Sequence, residues 1–337
     1  MSGNMCIYQN DLFGFSAFIF IQKDSHIDLY VVDLIPIAIP FLKRFSSEPV
    51  IYYCHHPDLL ATSRENTLKK LYRKPLDWIE CKATKTSNIT LVNSKYTASV
   101  FQDTFPEITT QVEILYPTIS SSVVELLSSE NDIKINSLIE TIPNGSVVFL
   151  SINRFHPAKN LEVAILAMNH LKFIMEEQRW NSTYFILAGG YDPQSHINEI
   201  NFTQLSEITK KFDLEKKIIF MKSPSDNTKV QLLKACSCLV YTPLKEHFGI
   251  VPLEAMMAKK PVIAFNSGGP RETVEHGENG YLCESNFESL AHFMNKMIND
   301  GNFNEMGEKG YQRLQNMFSN ELFSDKLRNI VQNALED

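Results

Sequence analysis

Residues 237–256 read SCLVYTPLKEHFGIVPLEAM, a short apolar run followed by a polar turn and a second apolar run. The first run is typical of a buried strand, and the pattern from Val251 predicts a helix to Ala258. Two glutamates, Glu246 and Glu254, stand eight residues apart, one in the turn and one in the first part of the helix. A strand that leads through a short loop into a helix is the repeating unit of a parallel α/β sheet. The stretch therefore predicts an α/β fold with two carboxylates beside the end of a strand.

The same alternation of strand and helix patterns extends along the whole chain. It predicts an α/β protein with two Rossmann-like, doubly wound domains that face a cleft. The expected divisions are an N-terminal domain, an interdomain segment rich in Ser, Asn and Pro, and a C-terminal domain: residues 1–119, 120–145 and 146–337. The last helix is expected to pack back toward the N-terminal domain. About four strands are predicted before the junction, and no glycine-rich strand-to-helix turn opens the series, so we expect the N-terminal domain to be incomplete.

Composition excludes several classes of protein. With 44% hydrophobic and 21% charged residues the chain is globular, and its net charge of −7 gives no reason to expect nucleic-acid binding. The N-terminus lacks the order of a secretory signal, and the apolar run 29–42 is too short to span a membrane and carries Asp33. The six cysteines form no CxxC pair, so buried reduced thiols are expected.

Unusual residues follow the strands predicted in the second domain, at the edge where open α/β sheets bind ligands. The strand SVVFLSIN is followed by Arg154 and Lys159, and the strand TYFILA by Gly189 and Gly190. Two cations five residues apart suit a diphosphate, because arginine offers a bidentate fork and lysine a point charge. Taken alone, the cations equally fit a solvated helix start, and Gly-Gly turns are common in loops.

A sugar-nucleotide donor would account for both glutamates of the opening stretch. The helix near Val251 presents free backbone N–H groups to a diphosphate. A carboxylate accepts two hydrogen bonds at once, so Glu254 can hold a ribose diol while Glu246 reaches the sugar hydroxyls. The alternative is an ordinary helix entry, in which the helix dipole favours Glu254. That alternative does not account for Glu246, which precedes the helix.

Several motifs resemble those of retaining glycosyltransferases of the GT-B fold. The segment EHFGIVPLE is similar to their pair of glutamates separated by seven residues, and SINRFHPAKN to their arginine–lysine diphosphate clamp. A narrower resemblance, to the α-1,3/1,6-mannosyltransferases of dolichol-linked oligosaccharide assembly, is carried by YYCHHPDLL, LYRKPLDWIE, LVNSKYTASVF, YTPLKEHFGIVPLEAM and NSGGPRETVEHGENGYLCE. It extends from about Ile27 to the C-terminus. Members of that family begin with a strand and a glycine-rich loop, which have no counterpart in this sequence.

The resemblance implies transfer of mannose from GDP-mannose to a dolichyl-diphosphate-linked mannosyl-chitobiose, first α-1,3 and then α-1,6, in lipid-linked oligosaccharide synthesis for N-glycosylation. It implies no cofactor and no metal, and the sequence has no D-x-D pair. It implies a place on the cytoplasmic face of the endoplasmic reticulum membrane, with other mannosyltransferases of the same assembly as candidate partners. The N-terminal domain would then be the acceptor side and the C-terminal domain the GDP-sugar side.

The resemblance also implies roles for single residues. Arg154 and Lys159 would bind the phosphates, Glu246 the transferred mannose and Glu254 the ribose. His55, which otherwise fits a packed histidine at a strand end, would lie near the sugar and acceptor. The catalytic set that the resemblance implies is therefore His55, Arg154, Lys159 and Glu246, and the donor-binding set is Gly189, Gly190, Phe248, Gly249, Ile250 and Glu254.

Two alternatives stay open on the sequence. One is a homologue that keeps the donor domain but acts as a binding or scaffold partner, and the other is a GT-B transferase with a different acceptor. A further stretch, residues 64–74, has five basic residues and one acidic residue. It fits a solvated helix face or a surface attracted to anionic lipid headgroups about equally well.

Overall fold

The computed structural model describes residues 5–8, 27–61, 67–108, 112–129 and 134–336. Two compact units are present, residues 1–117 together with 320–337, and residues 118–319. The secondary structure alternates between strand and helix in both units, which confirms the α/β prediction. None of the helices in the described ranges is long and apolar enough to cross a membrane.

The first unit is built on five parallel strands in the spatial order β1-β2-β3-β4-β5. Along the chain its elements are β1 Met5–Tyr8, β2 Leu29–Asp33, α1 Ile39–Phe45, β3 Val50–Cys54, α2 Asp58–Ala61, α3 Thr67–Lys85, β4 Ile89–Val92, α4 Lys95–Thr104 and β5 Val112–Ile114, with a 3₁₀ turn at Pro36–Ala38. Strand β1, paired in parallel with β2, was not predicted. The described part of the first unit thus has five strands, where about four were expected.

The second unit has six parallel strands in the order β11-β10-β9-β6-β7-β8. Its elements are α5 Ser121–Ser128, α6 Ile135–Leu138, β6 Val147–Ile152, α7 Leu161–Ile174, α8 Glu177–Asn181, β7 Thr183–Gly189, α9 His196–Lys211, β8 Ile218–Lys222, α10 Asp226–Ala235, β9 Cys238–Tyr241, α11 Ile250–Met257, β10 Val262–Phe265, α12 Pro270–Thr273, β11 Gly280–Cys283, α13 Phe287–Asp300 and α14 Phe303–Met317, with a 3₁₀ turn at Pro157–Lys159. The final helix of the chain, α15 Asn320–Glu336, belongs to the first unit.

The packing of two segments shows to which unit each belongs. Residues 118–145 are part of the second unit, where α5 packs on α10 and α11. Helix α15 buries Ile330 and Ala334 among Leu29, Ile51 and Leu91 of the first sheet. The neighbouring residues in those strands, such as Tyr30 and Val50, lie in a separate cluster with α1 and α4, because alternate side chains of a strand point to opposite faces.

Strand order fixes where the second unit can bind a ligand. Strands β6 and β9 are adjacent, β7 and β8 extend the sheet on one side of them, and β10 and β11 extend it on the other. This is the doubly wound order, and its switch point lies between β6 and β9. The two segments singled out in the sequence, residues 154–160 and 245–256, follow these two strands directly. The fold therefore brings both segments to one crevice.

Candidate active site

The loop after β6 is held rigidly in front of α7. Phe155 is fully buried and packs edge-on against Phe202 at a centroid distance of 5.2 Å, which anchors the loop while Arg154 stays exposed. His156 caps the 3₁₀ turn by accepting a hydrogen bond from the backbone N–H of Ala158 at 3.2 Å. Burial and the neighbouring cations Arg154 and Lys159 lower the pKa of His156. A neutral imidazole is the form that can act as this acceptor.

Thr242, at the end of β9, ties the two strand ends together. Its hydroxyl donates to the backbone carbonyl of Lys159 at 2.7 Å, and the residue is fully buried. The Lys159 ammonium in turn lies 2.5 Å from Oε2 of Glu246, and both side chains are largely shielded from solvent. A charge-assisted hydrogen bond of this kind fixes both partners. The predicted phosphate-binding lysine and the predicted sugar-binding glutamate are thus in direct contact.

The backbone of Glu246 is set by the glycine turn that follows β10. Gly268 has φ +63°, and a Cβ placed there would lie 2.3 Å from the carbonyl oxygen of Glu246. The N–H of Gly269 donates to that carbonyl oxygen at 2.8 Å, and a Cβ at Gly269 would lie 2.3 Å from Cα of Phe248. Only glycine allows these two loops to approach so closely. The Gly-Gly pair therefore positions the loop that carries Glu246.

Helix α11 begins beside this loop. Gly249 is its N-cap residue, with φ +86°, and Phe248 before it is buried against Phe318 at 5.8 Å between ring centroids. Because a cap without a side chain leaves the first N–H groups of the helix open, they are available to an anion at the switch point. The predicted donor-binding residues Phe248, Gly249 and Ile250 thus lie where the sequence placed them, at the start of a helix.

Glu254 is buried inside α11, with its side chain 6% exposed. Its Oε1 accepts a hydrogen bond from the Lys229 ammonium of α10 at 2.7 Å. Its Oε2 is buried and has no hydrogen-bond partner among the described residues. Burial raises the pKa of the Glu254 carboxyl, and Lys229 acts in the opposite direction. A buried carboxylate oxygen without a donor is costly, so this atom is prepared to accept a hydroxyl from a ligand.

Tyr241 lies close to both motif glutamates. Burial raises its pKa well above the usual value, and the carboxylates of Glu246 and Glu254 raise it further. Its ring also packs against the start of α11, since a Cβ on Gly249 would lie 3.1 Å from the Tyr241 hydroxyl. Tyr241 therefore stays a neutral phenol.

The pair Gly189 and Gly190 supports the loop that carries Arg154. A Cβ on Gly189 would lie 1.8 Å from the carbonyl oxygen of Asn153, and one on Gly190 would lie 3.3 Å from Cγ of Arg154. In this structure the two glycines thus allow the close approach of the β6 loop. The glycines let the ends of β6 and β7 pack together.

His55 lies in the first unit, at the end of β3. Its Nε2 is 2.8 Å from Oδ1 of Asp33 at the end of β2, and Asn93 donates to the His55 carbonyl oxygen at 3.2 Å. The ring of Tyr53 packs against the imidazole at 4.4 Å between centroids. His55 is thus oriented by a carboxylate rather than packed into the core. The other predicted residues, Arg154 to Glu254, all belong to the second unit.

Four residues of these networks were not found from the sequence: Asp33, Lys229, Tyr241 and Thr242. Asp33 and Tyr241 stand at strand ends, which is a signal that could have found them. Lys229 is one of several polar residues on a helix and carries no pattern of its own. Within the described ranges, no three His, Cys, Asp or Glu side chains are grouped so as to hold a metal ion.

Comparison with known proteins identifies the class of protein to which this fold and site belong. Residues 132–313 match the family model of glycosyl transferases group 1. Sucrose-phosphate synthase from Thermosynechococcus elongatus gives a TM-score of 0.75 at 18% identity, covering 91% of this chain and 73% of that chain. Anabaena Alr3699/HepE in complex with UDP gives a TM-score of 0.73 at 20% identity, covering 91% and 79%. The fold and the switch-point site define a GT-B glycosyltransferase.

Curated relatives narrow this class. The α-1,3/1,6-mannosyltransferase ALG2 of Mus musculus is 38% identical over 331 residues, covering 97% of this chain and 78% of that protein. The Homo sapiens protein of the same name is 36% identical, covering 98% and 79%, and that of Saccharomyces cerevisiae is 32% identical, covering 93% and 67%. The chain belongs to the ALG2 family of α-1,3/1,6-mannosyltransferases, which confirms the predicted family and the predicted transferase activity.

Proposed function

We propose that the protein transfers mannose from GDP-mannose to a dolichyl-diphosphate-linked mannosyl-chitobiose, forming an α-1,3 and then an α-1,6 linkage. The observation that carries the proposal is the direct pairing of Lys159 with Glu246 at the switch point of the second unit, beside the N-terminus of α11. This arrangement sets a cation for the phosphates next to a carboxylate for sugar hydroxyls. It matches the two halves of a sugar nucleotide.

The proposed reaction breaks the bond between C1 of mannose and an oxygen of the diphosphate, and forms a bond from C1 to the acceptor hydroxyl oxygen with retention of configuration. The proton of that hydroxyl passes to the departing diphosphate. Negative charge grows on the departing diphosphate. Arg154, Lys159 and the N–H groups of Gly249 and Ile250 would stabilise that charge, and because they are already positioned they need little reorganisation. Glu246 would hold the mannose, and Glu254 the ribose through its unpaired Oε2.

His55 is proposed to contact the acceptor or the transferred sugar from the first unit. Its hydrogen bond with Asp33 fixes the orientation of the imidazole, as is usual for a histidine that acts on a substrate. Gly189 and Gly190 are proposed to act on the donor indirectly, by supporting the Arg154 loop.

The test is a transfer assay with GDP-mannose and a synthetic lipid-diphosphate mannosyl-chitobiose, read by mass spectrometry. Two successive additions of a hexose are expected from GDP-mannose and none from UDP-glucose. GDP binding without transfer to this acceptor would favour the scaffold alternative. Transfer to another mannosyl acceptor, but not to this one, would favour a GT-B transferase of different specificity.

A membrane surface is proposed as a second partner, at the cytoplasmic face of the endoplasmic reticulum. The supporting observation is an exposed apolar stripe on the first unit formed by Ile37, Phe41 and Phe45, at helical spacing across the 3₁₀ turn and α1. Arg44 is interleaved with it and lies 6.0 Å from the Phe45 ring. Exposed aromatic side chains between cations are typical of surfaces that bind anionic lipid headgroups.

Helix α3, which packs beside the 3₁₀ turn, repeats this chemistry. Leu71 and Trp78 are exposed one heptad apart, and Lys82 lies 5.9 Å from the Trp78 ring. Of the basic run predicted at residues 64–74, residues 64–66 and the side chains of Lys69 and Lys70 lie outside the described part.

Cosedimentation of the full chain with phosphatidylcholine vesicles, with and without phosphatidylinositol, tests this surface. The variant F41S/F45S is expected to lose binding to the anionic vesicles, while Phe173→Ser is expected to bind like the wild type. Phe173 is a matched control because it is as exposed as Phe45, 73% in each case, and lies on α7 of the second unit. Equal sedimentation of both variants would contradict the proposal.

A further inference from the structure

Lys229 has no role in the resemblance from which the other site residues were predicted. It lies in the first turn of α10, which begins after the N-cap residue Ser225, whose hydroxyl accepts from the N–H of Thr228 at 3.1 Å. From there the side chain reaches α11, where its ammonium is 2.7 Å from Oε1 of Glu254. The Lys229 side chain is itself only 20% exposed. The contact therefore joins two helices through a shielded ion pair.

The pair is asymmetric. Lys229 occupies Oε1, whereas Oε2 of the same carboxylate is buried and has no partner among the described residues. A carboxylate that is gripped at one oxygen has a fixed orientation, so its second oxygen points in one direction only. Such an oxygen is a strong acceptor if the carboxyl is ionised, and a much weaker one if it carries a proton.

The charges around Glu254 show how much depends on this lysine. Burial raises the pKa of Glu254, and Asp226 on α10 raises it as well. The charge of Glu254 in turn raises the pKa of the Tyr241 phenol on β9. Lys229 is the group that lowers the pKa, through its hydrogen bond and its charge. Without the ammonium, Glu254 would hold its proton to higher pH.

We propose that Lys229 is a positioning residue for donor binding, which holds Oε1 of Glu254 and thereby turns its Oε2 toward the nucleotide. The proposal rests on the proposed function, in which Glu254 binds the donor. Lys229 acts through Glu254, so its effect exists only while Glu254 is present. No other lysine of α10 does this, because Lys234 donates instead to the backbone carbonyl and hydroxyl of Ser129.

Calorimetry of GDP binding to the full chain tests the proposal. Lys229→Met is expected to weaken GDP affinity roughly tenfold or more at neutral pH, since it removes a charged hydrogen bond from the binding carboxylate. The affinity of this variant should fall further at slightly acidic pH and recover at alkaline pH, because protonation of Glu254 removes the acceptor. Lys229→Arg, which keeps the charge, should restore most of the affinity. Lys234→Met should behave as the wild type.

A double-mutant comparison separates positioning from mere support of the fold. In a Glu254→Ala background, adding Lys229→Met should change GDP affinity no further. A further loss there, or a Lys229→Met protein that binds GDP like the wild type at every pH, would overturn the inference. If Lys229→Met fails to fold, two other variants provide the test: Lys229→Arg and the double variant K229M/E254A, in which no unpaired carboxylate remains. Thermal unfolding shows whether each of them folds, and GDP titration measures its affinity. If Glu254→Ala itself binds GDP like the wild type, the proposed function of the donor site fails instead.

Discussion

At the scale of single residues, the site is organised around two lysine–glutamate pairs. Lys159 holds Glu246 in the loop after β9, and Lys229 holds Glu254 inside α11. The two carboxylates differ in setting, because the Glu254 side chain is almost fully buried and Glu246 remains partly open to solvent. The buried carboxylate, Glu254, suits the nucleotide, which is bound both before and after the transfer. The more open carboxylate, Glu246, suits the mannose, which is transferred to the acceptor.

The different settings predict different effects of removing each carboxylate. Glu254→Ala should weaken binding of GDP by roughly ten- to a hundredfold, because a hydrogen bond to a charged group is worth about 1.5–3 kcal/mol. Glu246→Ala should leave GDP affinity nearly unchanged and lower the rate of mannose transfer, since its contact is with the sugar. Calorimetry with GDP and the transfer assay, performed on both variants, measure the two effects. Equal losses of GDP affinity would mean that the roles are wrongly assigned.

The sequence predicted both carboxylates and Lys159, the partner of Glu246, but not Lys229, the partner of Glu254. Glu246, Glu254, Arg154 and Lys159 stand in recognisable positions after strands or at helix entries, so local pattern was enough to find them. Lys229 was missed because its importance comes from the packing of two helices that are far from each other along the chain. No local signal distinguishes it from Lys234 on the same helix.

At the scale of elements, specific contacts with neighbouring elements fix the positions of the loops and short helices around the site. The turn at Gly268 packs on Glu246, and the short helix α2 is capped by α3. Glu80 of α3 accepts hydrogen bonds from the backbone N–H groups of Asp58 and Leu59, at 2.7 and 2.8 Å. Arg73 of the same helix pairs with Asp58 at 2.7 Å. The segment LYRKPLDWIE, which carried part of the family resemblance, therefore fixes the segment that follows His55.

The turn at Gly268 gives a prediction with an internal control. Gly268→Ala should lower mannose transfer by at least tenfold, because the new Cβ would lie 2.3 Å from the Glu246 carbonyl oxygen and push the loop away. Gly277→Ala shares the positive φ but meets nothing within 4 Å, so it should cost about 1 kcal/mol of stability and leave transfer intact. Transfer rates and urea unfolding of both variants check the difference. Similar transfer rates would show that the loop tolerates the displacement.

Glu80 predicts a pH dependence of stability. Burial raises the pKa of its carboxyl to about 7, against the lowering effect of the two backbone hydrogen bonds and of Arg73. The folded protein thus holds this proton more tightly than the unfolded chain does. Its contribution to the free energy of unfolding is therefore greatest at acid pH and declines as pH rises from the ordinary glutamate range to about 7.

Urea unfolding at several pH values should show this decline in the wild type and a flatter profile in Glu80→Gln, which cannot ionise. Glu162→Gln, on the exposed side of α7, serves as a control and should keep the wild-type profile. A Glu80→Gln profile as steep as that of the wild type would assign the pH dependence to other groups.

At the scale of the whole molecule, strand and helix alternation was enough to predict two α/β units, and family resemblance was enough to predict the GT-B class. The assignment of segments to units was harder to predict. Helix α14, residues 303–317, was not expected, because few of its residues are apolar and its buried face includes Gly307 and Gly310, which are poor helix formers. A composition rich in Ser, Asn and Pro indicates a junction at residues 120–145, whereas the packing of the short helices α5 and α6 on α10 is a tertiary property that this composition does not show.

Helix α15 predicts where a change near the C-terminus acts. Ile330 is 2% exposed and packs among residues of β2, β3 and β4. Ile330→Ala should therefore cost roughly 2–5 kcal/mol and destabilise the first unit. GDP binding, whose residues lie in the second unit, should persist. Hydrogen exchange of peptides from both units, with GDP titration alongside, measures this. Faster exchange confined to the second unit would contradict the packing of α15.

The return of α15 to the first unit also orders events during synthesis on the ribosome. The second unit is one continuous stretch, residues 118–319, so it can fold as soon as that stretch has emerged. The first unit begins earlier but lacks its closing helix until residues 320–337 have been made. The half of the protein that is translated first is thus completed last, and until then the apolar sheet face built from Leu29, Ile51 and Leu91 has no cover from its own helix. A premature stop codon that removes only α15 would therefore leave a sheet face near the N-terminus uncovered, where chaperones can bind it and aggregation can start.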